Sequence, residues 1–167
     1  HKPRHRREAF KTSVQNFKKP RALYSTMNDI FTSPDVIEVQ SAPGALEQPT
    51  FTDIRGTINR IALDGFKVNL LSTKKGFMRS GDLHKNIQFD FIFSGKMELW
   101  QRKDGKDVKT IHGPNSFITI PPGIPHLFNF LEDTIMAEWW DSPFKAWYYK
   151  PYRDIIDAQF KKTPGAK

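Results

Sequence analysis

From about Thr52 to Trp140 the sequence is a succession of short strand patterns broken by turn signals, with no helical stretch between them. This feature constrains the fold more than any other. The apolar or alternating runs are Ile54–Leu63, Phe66–Leu71, Gln88–Phe93, Lys96–Arg102, Val108–His112, Ser116–Ile120, His126–Phe130 and Ile135–Trp140. The breaks fall at Asp64-Gly65, Lys74-Lys75-Gly76, Ser94-Gly95, Asp104-Gly105, Gly113-Pro114-Asn115 and Glu132-Asp133. Asp-Gly between alternating runs is a strong hairpin signal, because both residues tolerate the positive φ that a tight turn needs. Many short strands at this spacing predict an antiparallel sandwich or barrel. A further short strand is expected at Val36–Val39. After Pro151 the spacing changes: Tyr152, Ile155, Ile156, Gln159 and Phe160 share one helical face, and Pro164-Gly165 ends the helix.

Charge and composition narrow the function classes. The 167 residues contain no cysteine, which excludes a disulfide scaffold, a cysteine nucleophile and any thiolate metal site. The net charge of +8 suggests a nucleic-acid partner, but it is unevenly placed. Residues 1–27 hold eight Lys or Arg (Lys2, Arg4, Arg6, Arg7, Lys11, Lys18, Lys19, Arg21) against Glu8 alone, a charge of +7 that leaves +1 for residues 28–167. The body is nearly neutral, so nucleic acid is not expected on the barrel and remains open only for the basic arm. That arm also fits the remnant of an organelle transit peptide or a plain solvated tail. No run approaches the roughly 20 apolar residues of a membrane span. No apolar stretch near the start resembles a secretory signal, so an intracellular location, cytoplasmic or organellar, is expected. The chain begins at His1 rather than Met, which suggests upstream trimming.

Two motifs then stand out. Gly76 is followed after five residues by Asp82-Leu83-His84, then Lys85-Asn86-Ile87, Gln88, and six residues later Gly95. After a link of 19 residues, Asn115 is followed after five residues by Pro121-Pro122-Gly123-Ile124-Pro125-His126, with Phe130 four residues on and Asn129 one position earlier. This pattern resembles the two motifs of the cupin superfamily at every spacing. Asp82 stands in the place of the first His, Gln88 in that of the Glu, Asn115 in that of a Gly and Phe130 in that of the final Asn. The resemblance covers about residues 50–142. It implies an all-β fold, a cupin-type double-stranded β-helix or jelly-roll barrel of RmlC-like form. The expected layout is a basic arm at 1–27, a lead-in at 28–50, the barrel at 51–142 and an aromatic extension with a helix at 143–167.

The resemblance also implies a site. The family's metal ligands map onto Asp82, His84, Gln88 and His126, a set of two imidazoles and one carboxylate that suits one divalent ion such as Fe, Mn, Zn or Ni. Gln88 is the weak member, because a neutral amide oxygen binds a divalent ion less well than a carboxylate. A metal-free pocket is therefore the alternative, with His84 or His126 as general base or hydrogen-bonding group. By parity Asp82, His84, Asn86, Gln88 and Asp90 form one polar stripe, and Phe89, Phe91 and Phe93 an aromatic one. Phe128 and Phe130 share the His126 face and would make the deeper wall apolar, the usual character of a small-molecule pocket. Arg79 could point an anion-binding fork into the barrel mouth, although a surface arginine is commoner. Glu138 shares a face with Met136 and Trp140 and is the candidate for an additional acid or base. His112 reads as a turn residue.

Two functions from different classes follow. One is an enzyme acting on a small polar molecule, either metal-dependent in the manner of a dioxygenase or isomerase, or metal-free in the manner of a sugar or nucleotide-sugar isomerase or epimerase. The other is a ligand-binding module without turnover. The aromatic stripe Phe89/Phe91/Phe93 would be wasted on water, so flanking segments or a second subunit are expected to cover it. A homodimer is the expected assembly.

Overall fold

A computed structural model describes residues 29–39 and 49–164, apart from the side chain of Leu63. The basic segment 1–27 therefore lies outside the described residues. Two six-stranded antiparallel sheets face each other. The strands are β1 (Val36–Glu38), β2 (Thr50–Asp53), β3 (Gly56–Leu63), β4 (Phe66–Thr73), β5 (Met78–His84), β6 (Gln88–Ser94), β7 (Met97–Lys103), β8 (Lys106–His112), β9 (Phe117–Ile120), β10 (His126–Phe130), β11 (Thr134–Trp140) and β12 (Ala146–Tyr149). Helix α1 spans Lys150–Lys162. The first sheet runs β1-β12-β5-β10-β7-β8 and the second β2-β3-β4-β11-β6-β9. No helix among the described residues is long and apolar enough to cross a membrane.

The tight turns fall where the sequence placed them. Asp104 and Gly105, at φ 50° and 72°, join β7 to β8, the pair of left-handed residues that matches strand twist. Between the sheets lies an apolar core of Leu71, Ile92, Met97, Leu99, Ile118, Ile120, Phe128, Phe130 and Met136. A second cluster, Leu83, Leu127, Trp147, Tyr149, Tyr152 and Ile156, seals α1 against the outer face of the first sheet. The helix is anchored further by Gln159, whose side-chain oxygen accepts from the Met78 amide at 3.0 Å.

Four expectations need correction. The run Ile54–Leu63 is not one strand, because Asp53 accepts from the Arg55 backbone and guanidinium and turns the chain before Gly56. The segment 143–167 does not lie wholly beyond the barrel, since β12 pairs with both β1 and β5 within the first sheet. The polar stripe is not on a single strand. Asp82 and His84 end β5 in the first sheet, whereas Gln88 and Asp90 open β6 in the second, and Asn86 lies in the turn between. Finally, α1 packs on the first sheet and does not cover Phe89, Phe91 and Phe93, which lie on the outer face of the second.

Candidate functional site

The β5–β6 turn carries the chain from one sheet to the other, so the first motif clamps the barrel from both sides. A bulge makes this productive. Ser80 and Gly81 both adopt positive φ, 71° and 76°. In the pairing of β10 with β5, His126 faces Asp82 but the next residue, Leu127, faces Ser80, so Gly81 is the extra residue. Arg79 and Asp82 are an odd number of residues apart and would lie on opposite faces of a regular strand. The bulge turns Arg79, Asp82 and His84 toward the same interior. Cross-strand register then sets Glu138 of β11 opposite both Asp90 of β6 and Asn69 of β4.

The two motif histidines meet inside the barrel, fully buried, with ring centroids 5.1 Å apart. Phe128 follows His126 at 5.7 Å and Phe130 follows Phe128 at 6.4 Å, so the deeper wall is aromatic as expected. Phe144, 6.2 Å from the His84 ring and 4.2 Å from Trp140, caps the other side.

The hydrogen-bond network settles which nitrogen carries each proton. His84 Nδ1 donates to the Asn86 carbonyl at 2.7 Å, and His126 Nδ1 donates to the Ile124 carbonyl at 3.0 Å. Trp140 Nε1–H can only donate, and it donates to Gln88 Oε1 at 3.1 Å, which fixes the amide orientation. Gln88 Nε2 in turn donates to Asp90 Oδ1 at 2.9 Å. Burial, aided by the neighbouring His126, pulls the His84 pKa down to about 4, so the ring is neutral near pH 7. Its Nε2 lone pair then faces Gln88 Oε1 at 3.0 Å. His126 Nε2 is buried without a hydrogen-bond partner, 3.4 Å from Asp82 Oδ1. The His84 lone pair therefore faces an oxygen acceptor with no hydrogen between them, and His126 Nε2 has no hydrogen-bond partner. Such a site calls for hydrogen-bond donors from a ligand.

Whether the four motif residues fit a metal follows from the same contacts. Only Asp82 brings a negative charge, and its Oδ1 also accepts from the Ser80 hydroxyl. The Gln88 oxygen is already committed to Trp140. Among the described residues, no group of three or more His, Asp or Glu side chains comes together to hold a metal ion. The set Asp82, His84, Gln88 and His126 does not fit a closed metal centre in this arrangement.

Beyond the histidines the interior continues into ionisable groups. Arg79 is 4% exposed, so it is an interior arginine rather than a surface one. It donates through Nε to Thr73 Oγ1 at 2.8 Å, and its Nη2 lies 3.8 Å from Asp53 without a hydrogen bond. Desolvation lowers its pKa to about 10, which leaves it charged at neutral pH. Asp90 reads from the sequence as part of the polar stripe, with no role in the site. It is fully buried, its Oδ2 has no partner, and burial together with the Glu138 charge raises its pKa well above the carboxylate range. Glu138 accepts from Asn69 Nδ2 at 2.9 Å, and desolvation pushes its pKa up to about 7 against the opposing pull of Asn69 and Arg79. Asn86, expected inside, instead ties the turn to the Ser142 and Pro143 carbonyls. His112 ends β8, with Nε2 2.9 Å from Thr110 Oγ1, away from the site.

The Glu138 environment predicts a pH dependence. A carboxyl whose folded pKa is raised binds more protons folded than unfolded, so stability is lost as pH rises from about 4.5 through 7. Urea midpoints of wild type should fall relative to Glu138→Gln across that window. Parallel curves would refute a raised Glu138.

No protein-family model matches this chain, and no curated protein matches it in sequence. Solved structures do match in fold. CapF, the capsular polysaccharide assembling protein of Staphylococcus aureus, superposes with a TM-score of 0.54 at 17% identity, over 60% of this chain and 34% of that one. The oxalate decarboxylase of Bacillus subtilis gives 0.54 at 16% identity, over 68% and 34%. The Lactobacillus farciminis oxalate decarboxylase formate complex gives 0.53 at 13% identity, over 69% and 35%. The chain thus spans about a third of the solved chains it matches. These likenesses show the fold: a cupin-type jelly roll.

Proposed function

We propose that the barrel binds a small hydroxyl-bearing molecule at its polar end and that His126 serves as the base toward it. The observation that carries this is His126 Nε2, a buried ring nitrogen with no hydrogen-bond partner, on a ring whose Nδ1 donates to the Ile124 carbonyl. A ligand hydroxyl supplies the missing donor there, and a second donor satisfies His84 Nε2 or Gln88 Oε1. Arg79 Nη2, which makes no hydrogen bond and pairs only at 3.8 Å with Asp53, offers a donor to a carbonyl or anionic group of the same molecule. Phe128 and Phe130 supply the apolar wall. In the catalytic form of this reading His126 removes a proton from a carbon beside a carbonyl. Asp90, held neutral by burial, or the protonated fraction of Glu138 near pH 7, returns one, which is the proton bookkeeping of an isomerase or epimerase. No step runs through a metal.

The test is a thermal-shift screen of sugars, sugar phosphates, nucleotide sugars and 2-oxo acids, alongside divalent ions and elemental analysis of the purified protein. An organic ligand should stabilise the wild type and bind at least about tenfold more weakly to His126→Ala, the loss of one buried hydrogen bond to imidazole. Solvent-deuterium exchange into the bound ligand would separate turnover from binding. Equal binding by the variant, or stoichiometric metal in the wild type, would overturn the reading.

We infer further that two copies pair through the outer face of the second sheet. The register places Phe89, Phe91 and Phe93, Phe117, Trp139 and Ile135 side by side there, and none of the described side chains on that face is charged. Phe117 is 58% exposed and Phe93 52%. Flat apolar sheet faces stack well on each other, and a patch of this kind marks an interface. Sedimentation should find a dimer at micromolar concentration and a monomer for Phe117→Lys. A monomeric wild type would refute pairing.

A further inference from the structure

The bulge that aims Asp82 at the interior is a strained piece of backbone. Ser80 carries a Cβ yet holds φ 71°, in the left-handed region, and Gly81 follows at 76°. For a residue other than glycine that conformation costs about 1–2 kcal/mol, so it persists only where its surroundings over-determine it. The sheet does little to hold it. Pairing with β10 skips Gly81, and pairing with β12 stops at Asp82.

The missing support comes from α1, on the outer face of the sheet. Arg153, in the first turn of the helix, donates through Nη1 to the Ser80 carbonyl at 3.0 Å. The helix also presses on the next residue: a Cβ added at Gly81 would lie 2.9 Å from Arg153 Cδ and 3.0 Å from Ile156 Cδ1. Two further contacts hold the guanidinium in place. Its Cζ lies 4.4 Å over the Tyr148 ring, and its Nη2 is 3.7 Å from Asp157. Tyr148 is the register partner of Asp82, so the arginine is fixed beside the strand segment that it supports. On its other side Ser80 reaches inward. Its hydroxyl donates to Asp82 Oδ1, the atom that stands 3.4 Å from His126 Nε2.

We propose that Arg153 is a positioning residue: by fixing the Ser80 carbonyl it locks the bulge and holds the Asp82 carboxylate against His126. A helix outside the barrel thereby sets the geometry of a histidine inside it. The value of this for binding rests on His126 being the group that meets a ligand, whereas the coupling itself does not.

The test uses the full chain with carbon-13 and nitrogen-15 in its histidines, and reads the His126 ring without any ligand. Arg153→Ala should shift the His126 ring signals while those of His112, at the end of β8, stay in place. Arg153→Lys, which keeps a cationic donor beside Tyr148, should restore most of the wild-type position. Lys150→Ala removes an ion pair of the same helix, to Asp154, that does not involve β5, and should leave His126 unmoved. Amide exchange across residues 80–83 should quicken about tenfold or more in Arg153→Ala, the loss of one hydrogen bond from a charged donor. Ser80→Ala should shift the same ring signals, and the double variant should move them no further than the larger single change, since both act on one route. Unmoved His126 signals in Arg153→Ala, an equal shift in Lys150→Ala, or additive shifts in the double variant would each overturn the proposal. Shifted signals in a protein that no sugar or 2-oxo acid stabilises would uphold the coupling and overturn the barrel-ligand reading alone.

Discussion

Gly95→Ala should leave little folded protein at 37 °C. Gly95 sits at φ +87°, and a Cβ there would lie 2.2 Å from the Asp133 carbonyl oxygen, 2.5 Å from Thr134 Oγ1 and 2.7 Å from Thr134 Cα. The left-handed conformation alone costs an L-residue about 1–2 kcal/mol. The contacts cost more, because two of the three atoms are backbone at the start of β11 and cannot rotate away. Relief requires β11 to shift, and β11 is bonded to both β4 and β6 and carries Glu138 and Trp140 into the interior. A total on the order of 4 kcal/mol or more is expected, a large part of the 5–15 kcal/mol typical of a domain. Gly65→Ala is the control: its φ is +72°, yet a Cβ there meets nothing within 4 Å, so only the conformational cost applies. Urea unfolding of the two variants decides the matter. Similar midpoints would show that the Asp133 contact is not what requires glycine.

Phe128→Ala should be the most damaging side-chain truncation within the site. Phe128 is 1% exposed and packs between His126 and Phe130 in the core that joins the sheets. Removing a buried phenyl ring costs about 3–5 kcal/mol, the lost transfer energy plus the cavity left behind. For a domain of this size that lowers Tm by roughly 6–20 °C. The cavity would adjoin His126, so a small apolar molecule such as benzene should restore part of the loss by filling it. A Tm unchanged within about 2 °C would mean that the barrel closes over the gap, contrary to the rigid packing expected of such interiors.

How far the sequence could be read depended on how far apart the interacting residues lie. Motif spacing brought His84 and His126 together, because both occupy fixed positions on neighbouring strands. Parity on β10 likewise placed Phe128 and Phe130 inside. Parity failed across Asp82 to Asp90, since the chain leaves one sheet at His84 and enters the other at Gln88, and no alternation rule survives such a crossing. The two acids were legible only as separate residues, for a related reason. Parity sets Asp90 on the polar stripe and Glu138 on the face of Met136, but only the register of β11 with β6 shows that the two carboxyls stand opposite each other. Glu138 in turn owes its environment to Asn69, 69 residues earlier. The sequence favoured a surface position for Arg79 over the barrel mouth because the Ser80-Gly81 bulge that turns it inward leaves little trace in composition.

Pairing through the uncharged outer face of the second sheet would tie the durability of this domain to its abundance. A partner that binds only the folded form adds about 2.7 kcal/mol when it is present at a hundred times its dissociation constant, and almost nothing when it is scarce. With a second copy as that partner, dilution acts as a mild denaturant. The same chain would melt earlier in a nanomolar assay than in a concentrated stock, and thermal midpoints would compare only at matched protein concentration.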